Sequence, residues 1–177
     1  MLTAKCCYIK LYKLCGLLLV AVTFATPAHT QTTALYPKVT GYVGILHPLV
    51  TFSSGGNTTN FKGYYLGGLP TGINIWKSTK IGFSAEFVPF IRAEHGTSKM
   101  TNFLFHPGVL IALGHGFTFA GRAAFETSGR YGVTPVLNYV FKKNKNSNYF
   151  IALPVPARFG NNLAASIGTG FQFGIAF

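Results

Sequence analysis

Acidic side chains are nearly absent from this chain, and charge of either sign is scarce. Of 177 residues only 3 are Asp or Glu, and 10% are charged, against about 25% in an average soluble domain. A water-soluble protein so poor in charge would have to expose a great deal of apolar surface, whereas a protein dissolved in lipid would not suffer from it. Long apolar runs are missing as well. Past Phe24 no stretch reaches the roughly 18 to 20 continuous apolar residues that a spanning helix needs, because Gly, Pro, Asn, Ser or Thr interrupts each run. A bundle of membrane helices is therefore excluded, and a closed barrel is the remaining way to satisfy a backbone inside lipid. Cysteine is confined to Cys6, Cys7 and Cys15, so the rest of the chain can form neither a disulfide framework nor a thiolate metal site. His47, His95 and His115 are scattered over separate segments, which speaks against a metal site. No cofactor is expected.

Apolar residues make up 49% of the chain and aromatics 15%, with 21 Gly and 17 Phe. The formal charge is +12, of which Lys5, Lys10 and Lys13 lie near the N-terminus. The basic residues form no helix face or dense patch, so nucleic acid is not an expected partner. Residues 1–30 read as a signal peptide. The three lysines form its positive region, Leu14 to Ala25 its apolar core, and Thr26 to Thr30 a cleavage zone of small residues. Cleavage after Ala28 or Thr30 would leave 31–177 as the folded domain.

From Val39 onward the chain divides into eight segments of period-2 alternation, bounded by Gly, Asn, Ser or Lys clusters. They run roughly over 38–52, 61–76, 80–91, 103–114, 117–128, 131–142, 149–158 and 163–177. In the third, Ile81, Phe83, Ala85 and Phe87 share one face, with Gly82, Ser84 and Glu86 on the other. The fifth sets Phe117, Phe119 and Phe125 against Thr118, Ala120, Arg122, Ala124 and Glu126. The eighth sets Ile167, Phe171, Phe173, Ile175 and Phe177 against Ser166, Gly168, Gly170, Gln172 and Gly174. A soluble barrel would turn its large apolar side chains inward. Here the partners of the phenylalanines are small and polar, which suits the cramped polar lumen of a narrow membrane barrel. The fold class read from this pattern is all-β, an eight-stranded antiparallel up-and-down transmembrane β-barrel.

An even strand count puts both termini at one end, the periplasmic one. Turns are expected there at 77–79, 114–116 and 143–148, with outward loops at 53–60, 92–102, 129–130 and 159–162. Aromatic residues near strand ends, such as Tyr139, Phe141, Phe125 and Tyr131, match interfacial girdles. Basic residues at both rims, Arg158 among them, suit pairing with the phosphates of outer-membrane lipids.

The final strand, Phe171-Gln-Phe-Gly-Ile-Ala-Phe177, resembles the C-terminal signature of bacterial outer-membrane barrels, which end in an aromatic residue with apolar residues alternating upstream. The resemblance implies that the barrel-insertion machinery recognises Phe171, Phe173, Ile175 and Phe177. It also implies location in the outer membrane of a Gram-negative bacterium. In strand count and length the chain is similar to small OmpA-type and OmpW-type barrels.

Three inward charges stand in mid-strand: Glu86, Arg122 and Glu126. Pairing through Gly108 would let Glu86 and Arg122 meet across the lumen, as a salt-bridge plug or as a gate. His106 has inward parity and is placed near the level of Glu126. With Ser128 nearby, that pair raises the alternative of a lipid-modifying enzyme, but no nucleophile motif supports it, and no catalytic residue is assigned. Prolines remove ladder donors. Pro135, Pro154 and Pro156 fall on adjacent strands, which points to a lateral seam between the sixth and seventh. The leading reading is a non-enzymatic outer-membrane barrel with a plugged lumen. A channel for small hydrophobic molecules with lateral exit is the second.

Overall fold

A computed structural model describes residues 36–177; the expected signal peptide lies outside the described residues. Eleven antiparallel strands form one sheet: β1 (Lys38–Ser53), β2 (Thr58–Thr59), β3 (Tyr65–Gly68), β4 (Thr71–Trp76), β5 (Ile81–Glu94), β6 (Thr97–Gly114), β7 (Phe117–Glu126), β8 (Tyr131–Lys143), β9 (Asn148–Pro154), β10 (Ala157–Phe159) and β11 (Ser166–Ala176). The sheet closes on itself because β1 pairs with β11 from Tyr42↔Ala176 to Ser53↔Ser166.

The difference between eight expected strands and eleven observed has a local cause. β3 and β4 lie end to end, separated at Leu69-Pro70, and both pair with β5. β9 and β10 are likewise separated at Val155-Pro156, and both pair with β8. A proline has no N–H for the ladder, so the strand stops there although the chain continues in the same direction. Pro70 still contributes its carbonyl, which accepts from Gly44 N at 2.8 Å. With β2 a two-residue pairing in a loop, the ring has eight staves.

The expected long loop at 92–102 is instead the tip of a hairpin. β5 runs to Glu94, β6 begins at Thr97, and His95 and Gly96 between them have φ of 50° and 73°. Two successive positive φ values twist a two-residue turn the way paired strands twist. The polar composition that reads as a loop is that of a ladder standing clear of the apolar band. His115 and Gly116 make the matching turn at the opposite end, with φ of 51° and 87°.

The alternation sorts the side chains in the sense the sequence predicts. Ser84, Glu86 and Val88 on β5, Ala120, Arg122 and Ala124 on β7, and Gln172 on β11 are buried within the ring. Phe83, Phe87, Phe125, Phe171 and Phe173 lie outside, each at least 40% exposed. This is a membrane-type barrel, with its bulky apolar side chains on the outer surface. No soluble fold would show water such a surface. Stacked pairs such as Phe87–Phe105 and Phe117–Tyr139 cover the strands.

Candidate functional site

Four inward side chains from four strands meet inside the ring at mid-height. Arg122 on β7 donates from Nη1 to Glu86 Oε1 at 2.7 Å and from Nη2 to the Tyr42 hydroxyl at 3.0 Å and Ser84 Oγ at 3.2 Å. The Tyr42 hydroxyl donates onward to Glu86 Oε2 at 3.0 Å. His106 Nδ1 lies 3.1 Å from Glu86 Oε1. Glu86 and Arg122 are only 2% and 8% exposed, and these contacts meet most of the hydrogen-bonding capacity that a buried ion pair must satisfy, with Arg122 Nε buried without a partner.

Sequence reasoning brought Glu86 and Arg122 together through Gly108, and the structure does pair them, with β5 shifted by two residues along β6. Gly108 stands opposite Arg122 on β7 and opposite Ser84, not Glu86, on β5. The glycine is needed there. A Cβ at Gly108 would run into Gly121 O and sit 2.6 Å from Arg122 Cγ. The arginine stem therefore occupies the space that any other residue at 108 would fill.

His106 is not paired with Glu126 as expected. It stands opposite Glu86 on β5, and its Nε2 lies 2.8 Å from Thr134 Oγ1 on β8. Glu86 can only accept, so Nδ1 carries the ring hydrogen, and Thr134 is free to donate to Nε2. Glu126 has its own partners: Arg158 Nε at 2.6 Å, Asn102 Nδ2 at 2.7 Å and Ser128 Oγ at 2.9 Å. The expected neighbours Glu126 and Ser128 do meet, but without the histidine. Arg158, expected as a rim cation, is 8% exposed and donates from Nη1 to Thr134 Oγ1 at 2.9 Å. One string of contacts thus runs from Ser84 at mid-barrel through Arg122, Glu86, His106, Thr134 and Arg158 to Glu126 near the loop end.

Arg158, Thr134, Tyr42 and Ser84 were missed. Arg158 was legible, since it keeps the even parity of the buried Phe150, Ala152 and Pro154 across the break at Val155-Pro156. Tyr42 was hidden because the first segment carries large residues on both faces.

Three spaces divide the lumen. Toward the end bearing the C-terminus is a cavity of about 210 Å³ with polar lining such as Thr40, Asn74, Thr118 and Asn138. Above the ion pair is a chamber of about 70 Å³, lined mostly by apolar residues including Leu46, Val88, Leu104 and Val136. It shares Pro48, Phe90, Pro156 and Arg158 with an outer vestibule of about 380 Å³.

The expected seam between the sixth and seventh staves is closed. β8 pairs with β9 from Val136↔Pro154 downward and with β10 at Ala157↔Val133, Arg158↔Gly132 and Phe159↔Tyr131. Between those stretches Val155 N donates to Pro135 O at 2.9 Å. The backbones are so close that a Cβ on Gly132 would run into Ala157 O. The missing rungs are one seam further on. On the seam of β11 with the β9/β10 stave, Ala152↔Gln172 and Ala157↔Ile167 are ladder pairs and none occurs between them. Only Gly168 N to Pro156 O at 2.8 Å and Thr169 Oγ1 to Pro154 O at 3.4 Å are seen there. The carbonyls of Pro154 and Pro156 face β11 while Val155 N faces β8, so the two absent N–H groups are ones β11 would have used. Pro154, Pro156, Thr169 and Gly170 also line the apolar chamber.

Phe171, Phe173, Ile175 and Phe177, the expected insertion signal, lie on or just past β11, which is held by β1 and β9.

No family profile and no curated protein sequence matches the chain. Two solved structures are similar to it. One is the outer membrane protein OprG from Pseudomonas aeruginosa, at 8% identity and TM-score 0.41 over 79% of this chain and 94% of that one. The other is the toluene transporter TbuX of Ralstonia pickettii, at 14% identity and TM-score 0.33 over 62% of this chain. The match spans 32% of the TbuX chain.

Proposed function

We propose that the protein is a non-enzymatic bacterial outer-membrane barrel whose lumen is shut at mid-height. The observation that carries this is the Tyr42–Glu86–Arg122–His106 cluster, with Glu86 2% exposed and Arg122 8%. Four staves contribute to it, so the cluster both fills the pore and cross-braces the ring. The outer aromatic band fits hydrocarbon, and the basic rims fit anionic headgroups of outer-membrane lipids. The test is conductance of the refolded barrel in a planar bilayer. The parent should be closed, and Glu86→Ala should conduct by joining the spaces above and below. A steadily open parent would refute the plug.

One observation favours a second activity beside the plug, passage of small apolar molecules sideways into the membrane. The chamber above Glu86 is apolar, and its wall at Pro154, Pro156, Thr169 and Gly170 lacks ladder rungs. A solute entering from the loop end would meet the ion pair below and the weakest wall beside it. Continuing the register from Ala152↔Gln172 sets Leu153 opposite Phe171. Leu153→Cys with Phe171→Cys would lock that seam in a chain whose own cysteines all precede residue 16. Oxidation should stop uptake of a small apolar fluorophore into vesicles, and reduction should restore it. Equal uptake in both states would remove the side route.

A further inference from the structure

Charge at the loop end does not balance. Glu126 is paired with Arg158, and Glu94 with Arg92, the latter at 2.8 Å. Arg130 has no carboxylate. Its Nη2 donates only to neutral acceptors, Arg158 O at 3.2 Å, Ala164 O at 3.0 Å and Ser166 Oγ at 3.1 Å. Its Nε is buried without any partner. Among the described residues neither Arg130 Nη1 nor Arg158 Nη2 has a protein acceptor. Arg130 therefore stands beside a second guanidinium with no counter-charge of its own, on the wall of a vestibule of about 380 Å³. A partly buried cation in that position calls for an anion, and a guanidinium offers two parallel donors that match a carboxylate.

The floor of the vestibule is of the opposite character. It passes Pro48, Phe90 and Pro156 into the apolar chamber of about 70 Å³ between the buried Glu86–Arg122 pair and the part-buried Glu126–Arg158 pair. A few methylene groups fill that volume, and a long acyl chain does not.

We infer that the vestibule and chamber together bind a small amphipathic anion, a monocarboxylate with a short apolar tail, its head on Arg130 and Arg158 and its tail against Val88 and Leu104. The inference rests on the chamber being a solute site, as the side-route reading has it, and adds the class of solute. The head-group preference follows from the unmatched arginine, and the limit on tail length follows from the chamber.

The test is calorimetric titration of the refolded barrel in phosphatidylcholine nanodiscs, with empty nanodiscs subtracted. Hexanoate and hexanol share a tail and differ in the head. Hexanoate should bind at least about tenfold more tightly than hexanol, and more tightly than acetate. Arg130→Gln should erase most of the preference over hexanol, and Arg130→Lys should keep part of it. Equal binding of hexanoate and hexanol by the parent protein would overturn the anionic head while leaving the chamber as a site for neutral solutes. Equal binding of hexanoate and acetate would overturn the tail site. The oxidised Leu153→Cys/Phe171→Cys barrel should still bind hexanoate, because occupancy does not require the wall to part. Loss of uptake in that variant with hexanoate affinity intact separates failure of the side route from failure of the ligand class.

Discussion

Replacing Glu86 by Gln tests the plug without changing its volume. The carboxylate is 2% exposed and takes contacts from Arg122 at 2.7 Å, Tyr42 at 3.0 Å and His106 at 3.1 Å. Glutamine keeps an acceptor and the shape but leaves the Arg122 guanidinium buried with only neutral partners, the Tyr42 and Ser84 hydroxyls. Breaking a buried pair from one side costs about 3–5 kcal/mol, whereas replacing both partners by apolar residues of similar volume is often neutral or stabilising. Glu86→Gln and Arg122→Met should each lose roughly that amount, and Glu86→Leu with Arg122→Met should lose less than the sum of the two, the Tyr42 hydroxyl and His106 Nδ1 being left without an acceptor. Urea unfolding from lipid vesicles, followed by fluorescence, gives the values. Trp76, the single tryptophan, lines the cavity just below the cluster and reports on it directly. The reasoning fails if Glu86→Gln loses less than about 1 kcal/mol, or if the double variant is as unstable as the sum of the singles.

Gly108→Ala places a Cβ against Gly121 O and the Arg122 stem; overpacking of this kind costs about 1–3 kcal/mol, and a lower urea midpoint is the expected readout. Thr134→Val unlinks His106 from Arg158 and leaves the buried His106 Nε2 without a donor, while Arg158 Nη1 keeps the Val133 and Ala157 carbonyls, for an expected loss of about 1–3 kcal/mol; an unchanged midpoint would show that the string of contacts does not brace the barrel. Val109, 51% exposed on the outer face, lies opposite Phe83 and Gly121 near mid-height. Val109→Arg should lose about 2–4 kcal/mol in lipid, and far less is expected for an arginine placed at the rim. Phe177→Ala should slow assembly by the insertion machinery while leaving spontaneous refolding in detergent close to that of the parent; a gel that separates folded from boiled protein measures both.

How much of this was legible before the structure depends on which force decided each feature. Lipid and lumen differ so sharply that one alternation, Phe83-Ser84-Ala85-Glu86-Phe87, declares which way every side chain of a strand points. The closed all-β architecture and the inward parity of Glu86, Arg122, Glu126 and His106 followed from that local rule. Partnership did not, because it depends on how far one strand slides along its neighbour. A shift of two residues between β5 and β6 set Glu86 opposite His106 instead of Gly108, and the imidazole binds that carboxylate and not Glu126. The hairpin at His95-Gly96 was concealed because residues above the apolar band no longer alternate in polarity, although the backbone still pairs.

The sequence by itself determined the closed barrel, its apolar exterior and the scarce charges inside, since each follows from period-2 alternation in a solvent that offers the backbone no hydrogen bonds. Only the tertiary structure decided that Tyr42 and Arg158 join those charges, that Arg130 is left without a carboxylate, and that the prolines weaken the β11 seam. These depend on the stagger of strands around a ring and on which side of a strand each missing N–H would have faced, and such long-range geometry leaves no local mark on the chain.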